Sequence, residues 1–466
     1  MAASIIAFLG SLALLPLTLS GPRLFLKGYV ILDALGAWVL LCVGSVYLLG
    51  SIYAIGYMRT LSSQSHLHRF YALYAGFGLT TLAGPLMNNV GVYWIVIELT
   101  TLISTFLVCF ELGRESIEAA WKYIVVVSAG ISLALLGTIL YYWGGSLLIG
   151  QTYDMTWAAL REVAPRMDPM IGLTAFLLVI VGFGTKVGLA PMHTWLPDAH
   201  SEGPTPVSVM LSGALLNTAM VGIVRYLQIS DAAGLGVLPR LVVVALGALS
   251  LLIAALFIVR QTGIKRLLAY SSIEHMGVLA LGFGFGGPLG IAGALYHMLN
   301  HSLNKSLMFF GAGNVMRVWH TRRIGAIRGV AQRLPVSGWL WLAGAVAITG
   351  APPFGLFLSE ITILRAGLAG PYGWAAYAMA VLLIVIFIGF LNHFRAMFFE
   401  SPAVAEADEP TNESPVARDI GFPGLWCTVP MWLAFFPLLT LGLWWPQGFT
   451  RVFEAAIQSL AAGGAP

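Results

Sequence analysis

The chain has 466 residues, of which 58% are hydrophobic and only 9% charged, with a formal net charge of +4. A soluble domain of this size does not carry that composition, so the chain is read as a polytopic membrane protein. The small positive balance is scattered over short connecting segments and offers no basic patch for nucleic acid.

About 20 apolar residues cross a bilayer as a helix. The pattern predicts an all-α membrane protein of about 13–14 transmembrane helices, thirteen of which can be placed: 2–20, 29–56, 70–88, 90–110, 121–146, 169–189, 205–227, 240–260, 270–286, 288–312, 335–369, 373–399 and 424–445. The first run has no basic residue before it and no clear cleavage signal, so it reads as a retained helix rather than a signal peptide. The short link near Asn88–Val90 predicts a tight helical hairpin. The segment 169–189 carries Gly182, Gly184 and Gly188 and runs into Pro191 and Pro197, so it is expected to end irregularly. The segment 335–369 contains Gly350-Ala351-Pro352-Pro353 and is expected to break midway. Interrupted helices are tolerated in a bilayer where they line water or are buried in protein.

One break in each half suggests an internal repeat, and such paired breaks point to a functional site. The expected organisation is N-terminal helices over 1–69, a first five-helix unit over 70–227 and a second over 240–399. A polar loop (400–423, with Glu406, Asp408 and Glu409) and a last span with a short tail (424–466) follow. An odd number of helices per unit inserts the second upside down. Loops after even-numbered spans carry fourteen basic residues against seven on the other side. That bias places the N-terminus in the cytoplasm and the C-terminus outside. A short interfacial helix is expected over 449–462.

Only five of the 24 basic residues are lysines, and Lys186 and Lys305 lie inside apolar runs. Arginine stays charged, whereas a desolvated lysine can release its proton. Glu98 sits mid-span in Trp94-Ile-Val-Ile-Glu98, where a lone charge costs about 2.5–3.5 kcal/mol and needs a partner or water. Lys186, flanked by glycines, is its natural ionic partner. His297, His301 and Lys305 follow i, i+4, i+8 spacing and stack on one helix face as a proton-wire pattern. Metal binding by the two histidines is disfavoured, because the glutamate of HExxH is absent and Lys305 repels a cation. Glu360, after the second break, is a candidate terminal proton site or else an interhelical partner.

Other positions leave two readings open. Lys265 and Arg266 read as an anchoring pair at the membrane edge. Glu274 and His275, expected at a helix start, either extend the wire or pair with Lys265. Lys122 with Glu118 is either a surface pair or a relay. His193, Asp198, His200 and Glu202 lie on an expected loop, either as a proton-gathering mouth or, the plainer reading, as a polar loop. Cys42, Cys109 and Cys427 lack metal or disulfide spacing and read as small buried hydrophobes. There is no phosphate-binding loop, dinucleotide fingerprint or nucleophile triad.

The run Leu189-Ala-Pro-Met-His-Thr-Trp-Leu-Pro-Asp198-Ala-His-Ser-Glu-Gly-Pro-Thr-Pro-Val207, with Leu267-Leu-Ala-Tyr-Ser-Ser-Ile273 and His275-Met-Gly277, resembles the antiporter-like subunits of respiratory complex I. The same family includes Mrp-type cation/proton antiporters and membrane-bound group 4 hydrogenases. The resemblance covers roughly residues 50–400. Tyr270-Ser-Ser-Ile-Glu274-His-Met-Gly and Trp121-Lys-Tyr are most similar to the hydrogenase-4 component F branch.

The resemblance implies inverted five-helix repeats and a central hydrated axis. Its glutamate–lysine pair falls on Glu98 and Lys186, its histidine/lysine stripe on His297, His301 and Lys305, and its terminal site on Glu360. It implies proton translocation, no cofactor in this chain, and Fe-S clusters and a Ni-Fe site in partner subunits. The partners would be other membrane subunits and a peripheral redox arm, in a bacterial or archaeal cytoplasmic membrane. One departure is Asn217, near a position where many members carry lysine or histidine. An asparagine cannot store a proton, so either water bridges Lys186 to Lys305 or the wire is weakened. Within these 466 residues only one span and a short tail follow residue 400, without the long lateral helix of the largest relatives.

The leading expectation is a proton-translocating subunit of a redox-driven complex. The rivals are a sodium/proton antiporter subunit, an energy-coupling subunit for bicarbonate or CO2 uptake, and a passive scaffold.

Overall fold

The computed structural model describes residues 1–60, 66–150, 152–400 and 423–461. In chain order its helices begin with α1 (Ala2–Leu14), α2 (Ala34–Tyr57), α3 (Leu67–Ala83), α4 (Val90–Val108), α5 (Arg114–Ile149), α6 (Trp157–Val163) and α7 (Pro169–Val187). The central group is α8 (Trp195–Glu202), α9 (Thr205–Met210), α10 (Leu216–Ala232), α11 (Leu238–Ile258), α12 (Ile264–Phe285) and α13 (Gly287–Trp319). The last group is α14 (Val330–Arg333), α15 (Ser337–Ile348), α16 (Gly355–Ala369), α17 (Gly373–Phe399), α18 (Leu425–Leu443) and α19 (Gln447–Ala461).

Each of the thirteen expected spans contains a helix. Among the described residues, nine are long and apolar enough to cross a membrane by length and composition. The other four are α3, α12, α13 and the α15–α16 pair. The first is short, the last is broken, and α12 and α13 are made less apolar by Ser271, Ser272, Glu274, His297 and His301.

Several expected boundaries move for local reasons. The apolar run at 29–32 is not helical: β2 (Val30–Leu32) pairs antiparallel with β1 (Arg23–Phe25). α2 starts only after Asp33, whose carboxylate accepts from Gly36 N and caps the helix. Asn89 and Asp168 cap α4 and α7 in the same way. α5 begins seven residues earlier than expected and is about 54 Å long at 1.5 Å per residue, more than a ~30 Å hydrocarbon core. α12 begins six residues early, which carries Lys265 into a helix. Lys265 therefore belongs to a helix rather than a loop.

Both expected breaks are present. α7 ends at Gly188, whose φ of +81° closes the helix in the left-handed conformation that glycine tolerates. The chain then restarts as α8. Gly350, φ +65°, ends the first half of the second broken segment; a side chain there would run into the Glu360 carboxylate. Prolines 352 and 353 lack N–H donors, and α16 begins at Gly355. Only Glu400 and Pro423 of the expected polar linker fall among the described residues. α19 packs Val452, Ala456 and Leu460 inward, and its Phe449 and Phe453 rings lie 5.1 and 5.0 Å from Trp38.

The buried centre is formed by α2, α9, α10, α12 and α13, whose residues are almost all inaccessible. α5 packs along α7, and α11 along α12. α1, α4, α17 and α18 present apolar side chains outward, which suits contact with lipid or neighbouring helices.

Candidate functional site

In the first half, α4, α5 and α7 bring together Glu98, Tyr123 and Lys186. The Lys186 ammonium is fully buried. It donates to Thr101 Oγ1 at 2.7 Å and to the Tyr123 hydroxyl at 3.0 Å. Thr101 lies one turn from Glu98, and its hydroxyl donates to Glu98 Oε2 at 3.4 Å. The other carboxylate oxygen accepts from Ser128 Oγ at 2.6 Å. Glu98 and Lys186 are thus joined through a hydroxyl, not by the direct ion pair that their charges suggest. Their charges still act on one another.

In the second half, α12 and α13 set His275 against the expected stripe. His275 lies between the two α13 histidines, with ring centroids 5.0 Å from His297 and 5.1 Å from His301. His275 Nδ1 is 3.0 Å from His297 Nε2. His297 Nδ1 is 2.9 Å from Ser359 Oγ on α16. His301 Nε2 meets the Ser212 carbonyl at 3.3 Å. Lys305, fully buried, donates to the Leu268 carbonyl at 3.1 Å and to the Ser271 hydroxyl. Ser271 is one turn from Glu274, whose carboxylate is buried and interacts with the Lys305 charge. Each half therefore holds a buried lysine donating to a hydroxyl, with a carboxylate one turn along the same helix.

Glu360 is 6% exposed and joins His275 and His297, their ligand-capable atoms lying within 4.8 Å of one another. It also lines a cavity of about 280 Å3 with Thr349, Gly350, Ile384 and Phe387. The second break thus positions Glu360 between the histidines and an opening.

The polar stretch after α7 is not a loop. Trp195–Glu202 is helix α8, and its two faces differ. Asp198 pairs with Lys122 and Arg266 at 3.3 and 3.0 Å, and Glu202 with Arg322 at 2.7 Å. Lys122, half exposed and also paired with Glu118 at 2.7 Å, belongs to this charged surface network. His193 is half-buried beside Tyr270 and apart from the lysines. His200 points inward: it is fully buried, stacks on Phe309 at 5.3 Å, and neither ring nitrogen has a partner among the described residues. Phe309 is one turn from Lys305 on α13. The other end of α8 touches the first-half site, where the Trp195 ring lies 4.7 Å from Tyr123 and its Nε1 donates to the Thr185 carbonyl.

Asn217 follows a π turn over Leu211–Leu215. It donates to Ser302 Oγ at 2.8 Å and to the Met298 carbonyl at 3.2 Å, which ties α10 to α13. Lys265 lies in the first turn of α12, is 4% exposed and donates to the Gly203 carbonyl at 2.5 Å. It makes no ion pair with Glu274, which stands mid-helix two turns away. Sequence reasoning placed His200 with Asp198 and Glu202 on a polar loop and did not separate it from them; the structure turns it inward. Its separation from Asp198 by two residues was the available signal, since that spacing turns it toward the opposite side of a helix.

Residues 87–389 match the model of the NADH:quinone oxidoreductase/Mrp antiporter transmembrane family. The chain is 35% identical over 402 residues to the hydrogenase-4 component F homolog of Methylacidiphilum infernorum, covering 86% of this chain and 80% of that protein. Its fold is similar to a chain of the Mrp complex from a Dietzia species, with a TM-score of 0.83, 20% identity and 99% and 91% coverage of the two chains. It is also similar to a chain of respiratory complex I from Thermus thermophilus, with a TM-score of 0.82, 22% identity and 99% and 94% coverage.

Proposed function

This chain belongs to the NADH:quinone oxidoreductase/Mrp antiporter family, and on that premise we propose that it is the proton-translocating, antiporter-like membrane subunit of a redox-driven complex of hydrogenase-4 or complex I type. The observation that carries this reading is the chain of titratable groups running from the half-buried Glu98 to the buried Lys186, His275, His297, His301, Lys305 and Glu360. Buried ionisable groups are costly in a membrane and mark ion pathways.

The wire starts at Lys186, which holds a proton while Thr101 links it to Glu98. A shift transmitted from a neighbouring membrane subunit separates the carboxylate from the ammonium and favours proton release. Water carries the proton along the inner face of α8 to His200, and from there to Lys305. The histidines pass it to Glu360, which exchanges it through the adjoining cavity. His200 supplies the titratable group between the lysines that Asn217 cannot, and Asn217 instead fixes α10 on α13. Glu274 acts on the Lys305 charge as Glu98 acts on that of Lys186, but without a bridging hydroxyl, since Ser271 donates to the Leu268 carbonyl. Lys122, His193 and Lys265 stay outside the wire.

The two units, 70–227 and 240–399, are inverted five-helix repeats. The subunit sits in a bacterial or archaeal cytoplasmic membrane with its N-terminus inside and its C-terminus outside. Redox centres, Fe-S clusters and a Ni-Fe site, lie in a peripheral arm carried by other subunits. The reading is tested on the assembled complex in sealed vesicles. Substrate-driven acidification that persists without sodium supports it; acidification that requires sodium favours a sodium/proton antiporter instead.

A further inference from the structure

We propose that His275, His297 and Glu360 form a three-ligand site for Zn2+ or a comparable soft divalent ion, whose binding, on the reading above, arrests the wire. The three residues come from α12, α13 and α16, and their ligand-capable atoms lie within 4.8 Å of one another in a buried setting. Zinc sites with three protein ligands and one open position are a common arrangement.

The hydrogen bonds assign the lone pairs. The single hydroxyl proton of Ser359 goes to the Leu356 carbonyl at 2.7 Å. Ser359 therefore accepts from His297 Nδ1–H, which leaves the Nε2 lone pair of His297 facing His275. An imidazole oriented through its other nitrogen is the usual form of a metal ligand. His275 Nδ1 lies 3.0 Å from that lone pair. Two nitrogens bound to one tetrahedral zinc at 2.0–2.1 Å are about 3.3 Å apart, so little movement is needed. On binding, the His275 proton moves from Nδ1 to Nε2, a nitrogen with no partner among the described residues. Glu360 Oε1 is equally unpartnered. If Glu360 is protonated beforehand, one proton is released.

Two imidazoles and one carboxylate favour zinc over sodium, calcium or magnesium, which take oxygen ligands. The Lys305 charge still acts on His275 and His297 and has to be offset for a cation to bind. Two things offset it: the Lys305 ammonium is turned onto Leu268 and Ser271 of α12, and the Glu274 charge acts on it with the opposite sign. Glu360 also lines a cavity of about 280 Å3 between α16 and α17, next to the three ligands.

The test is calorimetric titration of the purified full chain in detergent with Zn2+, together with the absorption spectrum of bound Co2+. One tight equivalent is expected. His297→Gln and Glu360→Gln are expected to weaken it at least tenfold, and Ser359→Ala roughly 10- to 100-fold through loss of orientation. His393→Gln, on α17 and outside the site, is expected to leave it unchanged. Glu360→Gln is nearly isosteric and keeps the test decisive if a histidine variant misfolds. Absence of a tight equivalent, or its survival in both His297→Gln and Glu360→Gln, overturns the site. Lys186→Ala is expected to bind zinc at full strength, so the metal site and the translocation reading fail separately. Zinc that binds the whole complex without slowing translocation contradicts the arrest.

Discussion

Lys186 reaches Glu98 only through Thr101: the ammonium donates to the Thr101 hydroxyl at 2.7 Å, and that hydroxyl donates to Glu98 Oε2 at 3.4 Å. The acid and the base are held one hydroxyl apart, a spacing at which a small displacement changes their interaction. Glu98 is also anchored to Ser128, so movement of either helix alters the link.

Thr101→Val keeps the shape and removes the hydroxyl. A hydrogen bond to a charged group contributes about 1.5–3 kcal/mol, and each ~1.4 kcal/mol on a barrier is tenfold in rate. The variant is expected to slow proton translocation roughly tenfold or more while electron transfer in the complex persists. Thr101→Ser is expected to restore it. Vesicle acidification measured beside substrate turnover checks both.

His200→Gln tests the bridge between the halves. Neither His200 nitrogen has a partner among the described residues, so the substitution breaks no hydrogen bond recorded there. The assembly is expected to form normally and to lose most of its translocation. Wild-type proton yield from a correctly assembled His200→Gln complex contradicts the bridging role.

The sequence showed some of this and hid the rest for physical reasons. The breaks at Gly188 and Gly350 were legible because glycine and proline act through the local backbone. Glu98, Lys186 and Lys305 stood out because charge is conspicuous in apolar runs. The inward burial of His200 was hidden because its neighbour Phe309 is over a hundred residues away, while the nearby Asp198 and Glu202 made α8 look like a loop. The burial of Lys265 was hidden for a similar reason: its partner is a backbone carbonyl at Gly203, and nothing in the composition signals it. The central position of His275 likewise arises only when α12 packs on α13.

Glu274→Gln removes the charge beside Lys305 and keeps the volume. It is expected to lower translocation several-fold, with Glu274→Asp recovering part of it. Ser271→Ala is expected to act in the same direction. Proton yield per turnover is the readout, and an unchanged yield in Glu274→Gln contradicts the parallel with Glu98.

A structural prediction concerns the opposite end of the bundle. Arg225 on α10 holds the Asp33 carboxylate with two hydrogen bonds, 2.8 and 3.0 Å, and Asp33 also caps α2. Removing one partner of a buried pair costs about 3–5 kcal/mol. This pair is partly open, so Asp33→Ala is expected to cost roughly 2–4 kcal/mol including the cap. Thermal unfolding of the purified chain checks it; a melting temperature equal to wild type contradicts the pair's structural role.

The most direct test of the account is the number of protons moved per substrate turned over by the intact complex carrying Lys186→Ala. The wire predicts that the yield through this subunit is lost while the complex still assembles and transfers electrons. A wild-type proton yield from that complex would contradict it.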